Sequence, residues 1–194
     1  YRDLRDVPED ELRSEGQRRI QRQTKLEAAH VGDEVRDLVR ALPYPRYYLD
    51  FETIMFAVPI WPGTRPYEQL PFQWSCRIDD GQRALEHTFL DLSGAPPMRA
   101  CAERLIAALG THGPILVYTS FERQRIAELA KRFDDLAPPL HALLERLVDL
   151  HPPTKAHYYH PDMHGSWSIK DVAPTIAPEL RYETLGEVRD GGAA

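Results

Sequence analysis

The stretch "YYLDFET", residues 47–53, decides how the rest of the chain is read. Tyr47, Tyr48, Leu49 and Phe51, followed by Ile54, Met55 and Phe56, have the profile of a buried strand. Asp50 and Glu52 interrupt that profile two positions apart. Successive strand side chains alternate between faces, so both carboxylates leave the strand on one side. Like charges there repel, and each carboxylate is costly to strip of water. Two readings are open. In one, the strand crosses a sheet edge and both acids meet solvent or an arginine. In the other, the strand is central, as its apolar flanks on both faces argue, and a divalent cation offsets the repulsion, because hard Mg²⁺ takes carboxylate oxygens.

Outward from this stretch, the patterns describe an α/β domain. Residues 46–53 form the first strand. A Pro- and Gly-containing loop, 59–71, follows. Phe72, Trp74, Cys76 and Ile78 alternate with Gln73, Ser75 and Arg77 as a second strand. Asp79, Asp80 and Gly81 supply a turn into a third strand through Leu85, His87 and Phe89. Pro96 and Pro97 open a helix to Leu109 that turns Cys101, Leu105, Ile106 and Leu109 inward. An apolar strand, 115–118, leads at once into a helix over 120–133. Pro138 and Pro139 open a further helix through Val148, with a short extended segment at Asp149 and Leu150. An antiparallel meander followed by helix-connected strands predicts a mixed sheet flanked by helices.

Upstream, residues 1–45 are rich in Arg, Glu, Gln and Asp. A helix is expected from Pro8 to Leu26, and a second from Asp33, with Val35, Leu38, Val39 and Leu42 on one stripe, ended by Pro43 and Pro45. Arg13, Arg18, Arg19, Arg22 and Lys25 make a basic cluster that reads either as a solvated helix face balanced by acids or as a nucleic-acid contact.

The 194 residues are enough for one domain with a real core, and 42% hydrophobic with 28% charged residues is ordinary for a soluble globular protein. No apolar run approaches the roughly 20 residues that cross a bilayer, and no signal peptide opens the chain. Cys76 and Cys101 lie in apolar patterns without a CxxC spacing and read as reduced core residues of a cytoplasmic protein. A net charge of −6 argues against a nucleic-acid-coating module but is compatible with a nuclease, whose clustered acids are offset locally by metal ions.

Glu122, in "YTSFE" (118–122), is the next candidate. Thr119 to Glu122 has the form of a capping box. Glu122 also heads the stripe Glu122, Ile126, Leu129 and Phe133, which places it on the buried face of its helix. An acid there can reach an acid pair on a neighbouring strand. A rival lies in "HYYHPDMHGSW" (157–167), where His157, His160, His164 and Asp162 have ligand chemistry but no standard zinc spacing in a loop-like segment. Ser168 and Asp171 suggest another capping box, and Lys170 beside them reads as a surface lysine or a phosphate contact. There is no GxGxxG, P-loop or serine nucleophile elbow.

"LDFET" followed by strands, and then "ILVYTSFE" entering a helix, resembles the DEDD (DnaQ-like) exonucleases of the ribonuclease H-like superfamily. "YPRYYLDFET", "RPYEQLPFQWS", "VYTSFE", "VDL", "YYHPDMHGSWSIKDV" and "RYETL" are similar, in order, to phrases of the bacterial domain of unknown function 2779, over about residues 43–192. The resemblance implies a ribonuclease H-like fold over 46–194, with residues 1–45 a helical linker from an upstream RecB- or Cas4-like nuclease domain; a start at Tyr1 rather than Met fits such a piece. It implies catalytic and metal-binding roles for Asp50, Glu52 and Glu122, substrate contacts from Thr53 and Lys170, and two Mg²⁺ or Mn²⁺ ions about 3.5–4 Å apart. The family's last acid sits on a C-terminal helix in a Tyr-Cys-x-x-Asp-Thr phrase. None of the late acids Asp149, Asp171 and Asp190 lies in such a phrase, Asp149 resembles a noncatalytic strand-end Asp, and the chain is expected to lack its last helix and its fourth ligand. Glu122 stands where the group usually has Asp.

The expected function is thus a metal-dependent 3′–5′ exonuclease-like phosphodiesterase acting on DNA or RNA, with activity in doubt for a chain ending here. The alternative is a noncatalytic nucleic-acid-binding or assembly module, and a weaker one is a His-based hydrolase.

Overall fold

The computed structural model describes residues 2–180. In chain order the elements are helix α1 (Glu15–Leu26), the two-residue strand β1 (His30–Val31), α2 (Asp33–Ala41), strands β2 (Arg46–Ile54), β3 (Leu70–Asp79) and β4 (Ala84–Leu90), α3 (Met98–Leu109), β5 (Ile115–Val117), α4 (Phe121–Arg132), α5 (Ala137–Glu145), β6 (Leu147–Asp149), α6 (His151–His157), β7 (Tyr158–Tyr159) and α7 (Ile169–Ile176). They fall into two compact units. Leu42–Leu150 forms one, and the described residues up to Ala41 and from His151 form the other.

The first unit is built on a five-stranded sheet in the order β4-β3-β2-β5-β6. β2 is its central strand. It pairs antiparallel with β3, Tyr48 opposite Arg77 and Asp50 opposite Ser75, and parallel with β5, Tyr48 opposite Leu116. The turn between β3 and β4 forms as its sequence predicts. Asp79 Oδ1 accepts from the Gly81 amide at 2.8 Å and Asp80 Oδ1 from Gln82 and Arg83 at 2.9 Å, while Gly81 takes φ +89°, which costs glycine nothing. Tyr47, Leu49 and Phe51 of β2 pack into one core with Cys101 and Leu105 of α3, Ile126 and Leu129 of α4 and Leu140 of α5. Each fully buried leucine contributes roughly 1.5–3 kcal/mol. Both cysteines lie in this core as free thiols, and burial pushes each pKa up to about 12.

The helix expected to run from Pro138 to Val148 stops at Glu145. Its last residues become β6, because the backbone of Leu147–Asp149 pairs in parallel with β5. Arg146 stabilises this corner. Its guanidinium donates to the carbonyls of Leu109, Gly110, His112 and Gly113 at 2.7–2.9 Å, which closes the end of α3.

In the other unit, the helix expected from Pro8 begins only at Glu15. Residues Glu9–Glu11 form a single 3₁₀ turn, and Ser14 and Gln17 close a capping box that starts α1. "HYYHPDMHGSW" has the pattern of a loop, but in the structure it supplies a core. β7 pairs with β1, and Tyr158, Tyr159, Met163 and Val172 are buried with Ile20 and Trp167 against them. Arg19 donates to the carbonyls of Lys155 and Ala156, and Arg18 and Arg22 face Glu15. That part of the basic cluster is therefore engaged within its own unit. Among the described residues no helix is long and apolar enough to cross a membrane.

Gly113 is the tightest point of the sheet unit. It has φ +86°, and a Cβ there would stand 2.2 Å from the Pro45 carbonyl oxygen. Gly113→Ala is expected to cost about 2 kcal/mol or more, through left-handed backbone strain and this clash together. Urea denaturation checks it; an unchanged midpoint would show that the chain yields there freely.

Candidate functional site

β2, β5 and β6 run parallel, so their C-terminal ends lie at one end of the sheet. In open α/β sheets this is where ligand crevices form. Three acidic positions collect there: Asp50 on β2, Asp149 as the last residue of β6, and Glu122 at the start of the helix that follows β5. The alternation of β2 is as its sequence predicts. Tyr47, Leu49 and Phe51 are buried, while Asp50 is exposed and Glu52 half-buried on the opposite face. Being central, the strand also settles the edge reading against itself. Glu52 sits across from Gln73, just before a bulge that shifts the register at Thr53.

The turn from β5 into α4 is held in an uncommon conformation. Thr119, a β-branched residue, takes φ +87°. Its amide donates to Asp149 Oδ1 at 2.9 Å, and the Leu150 amide donates to the Val117 carbonyl at 2.9 Å. Asp149 thereby fixes the strained junction that aims the first turn of α4. The capping box expected from Thr119 to Glu122 does not form. Ser120 is the N-cap and makes no side-chain capping bond, and the nearest substitute is a 3.4 Å contact from the Phe121 amide to Thr119 Oγ1. The left-handed turn at Thr119 moves Glu122 out of the box position and into the first turn of the helix.

Glu122 is instead buried, with 4% of its surface exposed, and its Oε2 has no hydrogen-bond partner. Burial is the main cause that pushes its pKa up to about 7. Its own backbone amide opposes this, and the charges of Asp50 and Asp149 add to it. Asp50 also lies above its ordinary value; it keeps an exposed edge, but the packing around it removes enough water to outweigh the bond from the Phe51 amide. Tyr118 is raised to about 12 by burial and by Asp149. One turn along α4, Arg125 is buried as well, but it does not serve Glu122. Its guanidinium goes to the Gln69 side chain and to Glu128 at 3.0 Å, and lies over the Phe121 ring.

The structure therefore brings Asp50 and Asp149 each within electrostatic range of Glu122, with Glu52 and Thr53 further along β2. Lys170 lies in the other unit, exposed in the first turn of α7, which Ser168 caps. Asp171 accepts from the Ser166 hydroxyl at 2.5 Å instead of completing a box with Ser168. Asp190 and the "RYETL" phrase lie outside the described residues. Two of the three histidines have structural partners: His157 faces Glu34 at 3.3 Å, and His160 Nδ1 accepts from the Asp162 amide at 3.2 Å, while His164 is exposed. Among the described residues no three His, Cys, Asp or Glu side chains form a group that could hold a metal ion. The donors these acids offer are carboxylate oxygens, the kind a hard divalent cation takes, and one of them is buried without a partner.

Residues 47–168 match the family described as Domain of unknown function (DUF2779). The chain belongs to that family. The family's segment takes in Asp50, Glu52, Glu122 and Asp149 and ends at Ser168, the cap of α7. No curated protein and no solved structure matches the chain.

Glu122 makes stability pH-dependent. The unfolded chain releases this proton near the ordinary value of 4.5 and the folded protein near 7, so the folded state holds the extra proton between them. Stability falls as pH rises through that window, by roughly 3 kcal/mol in all. Glu122→Gln is expected to melt above wild type at pH 8 in the absence of divalent ions, with the gap closing toward pH 5. Equal melting temperatures at both pH values would remove the buried charge.

Proposed function

We propose that this member of the family is a metal-dependent phosphodiesterase that trims DNA or RNA from the 3′ end, built on a ribonuclease H-like sheet. The observation that carries the reading is the buried Glu122 carboxylate, unpartnered at Oε2 and pushed toward neutrality chiefly by its burial, with the charges of Asp50 and Asp149 adding to it. A carboxylate is costly to keep in such a place without a compensating positive charge. The sheet adds support: an antiparallel meander of β2, β3 and β4, followed by the parallel strands β5 and β6, is the order that the ribonuclease H-like resemblance implies.

In this reading Asp50, Glu52 and Glu122 would hold Mg²⁺ or Mn²⁺. When bound, the ions supply charge neutralisation at the phosphate and a water acidic enough to attack at neutral pH. Asp50 presents its oxygens from the centre of the sheet end. Glu52, two residues on, shares that face and would orient a water. Glu122 approaches from the helix start, and its raised pKa means that it gives up a proton as a cation binds. Asp149 keeps the junction rigid through the Thr119 amide and acts as a positioning residue. Thr53, at the bulge that follows Glu52, would touch the terminal nucleotide.

Digestion of a 5′-labelled single strand in Mn²⁺ tests the proposal. Wild type is expected to shorten the strand stepwise from its 3′ end, and Asp50→Ala to be slower by about 10²-fold or more. Asp50→Ala digesting as fast as wild type would overturn the assignment. Salt-sensitive binding of the strand without any metal-dependent digestion would favour a noncatalytic nucleic-acid-binding module.

A further inference from the structure

The face of the sheet that carries Asp50 continues away from the acids as an open polar surface. Tyr48 lies two residues before Asp50 on the same face, about 7 Å along the strand. Arg77 of β3 stands directly across from Tyr48, and Glu86 of β4 directly across from Arg77. Tyr48 is 39% exposed, and Arg77 is exposed beside it. With Arg83, Gln82 and Gly81 they line an open depression of about 500 Å³ at the end of the β3–β4 hairpin.

The charges here are unevenly committed. Arg83 is held by Asp80 at 3.2 Å, and Asp79 Oδ1, which also faces the depression, is occupied by the Gly81 amide. Arg77 makes no ion pair among the described residues, even though Glu86 faces it in register. An exposed aromatic ring beside an uncommitted guanidinium combines a stacking surface with a phosphate contact, the pairing that single-stranded nucleic acid requires.

We infer that Tyr48 and Arg77 form a subsite for the strand whose 3′ end lies at the acids. Tyr48 stacks a base upstream of the cleaved bond, and Arg77 holds a phosphate of the same segment, with Arg83 at its margin. The inference rests on the phosphodiesterase reading for its substrate. It adds a gripping surface on the sheet face, separate from the carboxylates. A stacked ring and a single phosphate contact accept any base, so the subsite gives length dependence without sequence preference.

The test is binding of a fluorescein-labelled 12-residue oligothymidylate, followed by anisotropy in the Asp50→Asn background so that the strand is not cut, across a salt series. Arg77→Gln is expected to weaken binding about 10-fold and to lower the slope of log K against log salt by about 0.7, the loss of one single-strand phosphate contact. Arg77→Lys is expected to keep the slope. Tyr48→Leu is expected to weaken binding roughly 5- to 100-fold with the slope unchanged, and Tyr48→Phe to bind as the parent does. The slope responds to phosphate contacts and not to a general loss of fold, so a destabilised variant does not imitate the result. Arg77→Gln and Tyr48→Leu binding with unchanged affinity and slope overturns the subsite and leaves the phosphodiesterase reading intact if Asp50→Ala still abolishes digestion. A protein that binds no oligonucleotide overturns both.

Discussion

Everything at the candidate site depends on the two-faced character of β2. The strand is third of five in its sheet, so both of its edges are spent on hydrogen bonds to β3 and β5. Its side chains must then go up or down. Tyr47, Leu49 and Phe51 go into the core, and this fixes the register: a slip by one residue would drive Asp50 and Glu52 into apolar packing. The burial of three large side chains thus holds two carboxylates at the open face, at the end of the sheet where the parallel strands finish. Stability and the acid cluster come from the same alternation.

Glu122 shows how the fold tolerates a group that does not help it stand. The helix stripe buries Ile126 and Leu129, and the carboxylate one turn earlier is buried with them. Its cost is reduced because the proton is retained up to about pH 7. The strained Thr119 that orients it is held by Asp149 from the neighbouring strand. A junction that is strained, braced and ends in a half-satisfied acid is a common arrangement where local stability has been given up for chemistry.

Much of this was legible in the sequence. The alternation around Asp50 and Glu52, the Asp-Asp-Gly turn, the proline-led start of α3 and the buried stripe beneath Glu122 are local patterns with periods of 2 or 3.6 residues, and such patterns report which face is buried. Where two local signals competed, the sequence misled. "TSFE" satisfies the spacing of a capping box, yet the long-range bond from the Thr119 amide to Asp149 imposes a turn that the box does not allow. Proline-led helix propensity carries through to Val148, yet pairing with β5 turns Leu147–Asp149 into a strand. "HYYHPDMHGSW" has no regular period, so nothing in it announces that Tyr158 and Tyr159 pair with His30 and Val31 and fill a core.

The sequence by itself therefore determined an α/β sheet unit, its central strand and the side of that strand on which the acids stand, because alternation and helical periodicity are properties of consecutive residues. Only the tertiary structure decided that Asp149 braces Thr119, that Glu122 is left unpartnered, and that Tyr48 and Arg77 share a rung of an open face. Each of those is a meeting of residues roughly 25 to 70 positions apart, brought together by β pairing whose register no single segment contains.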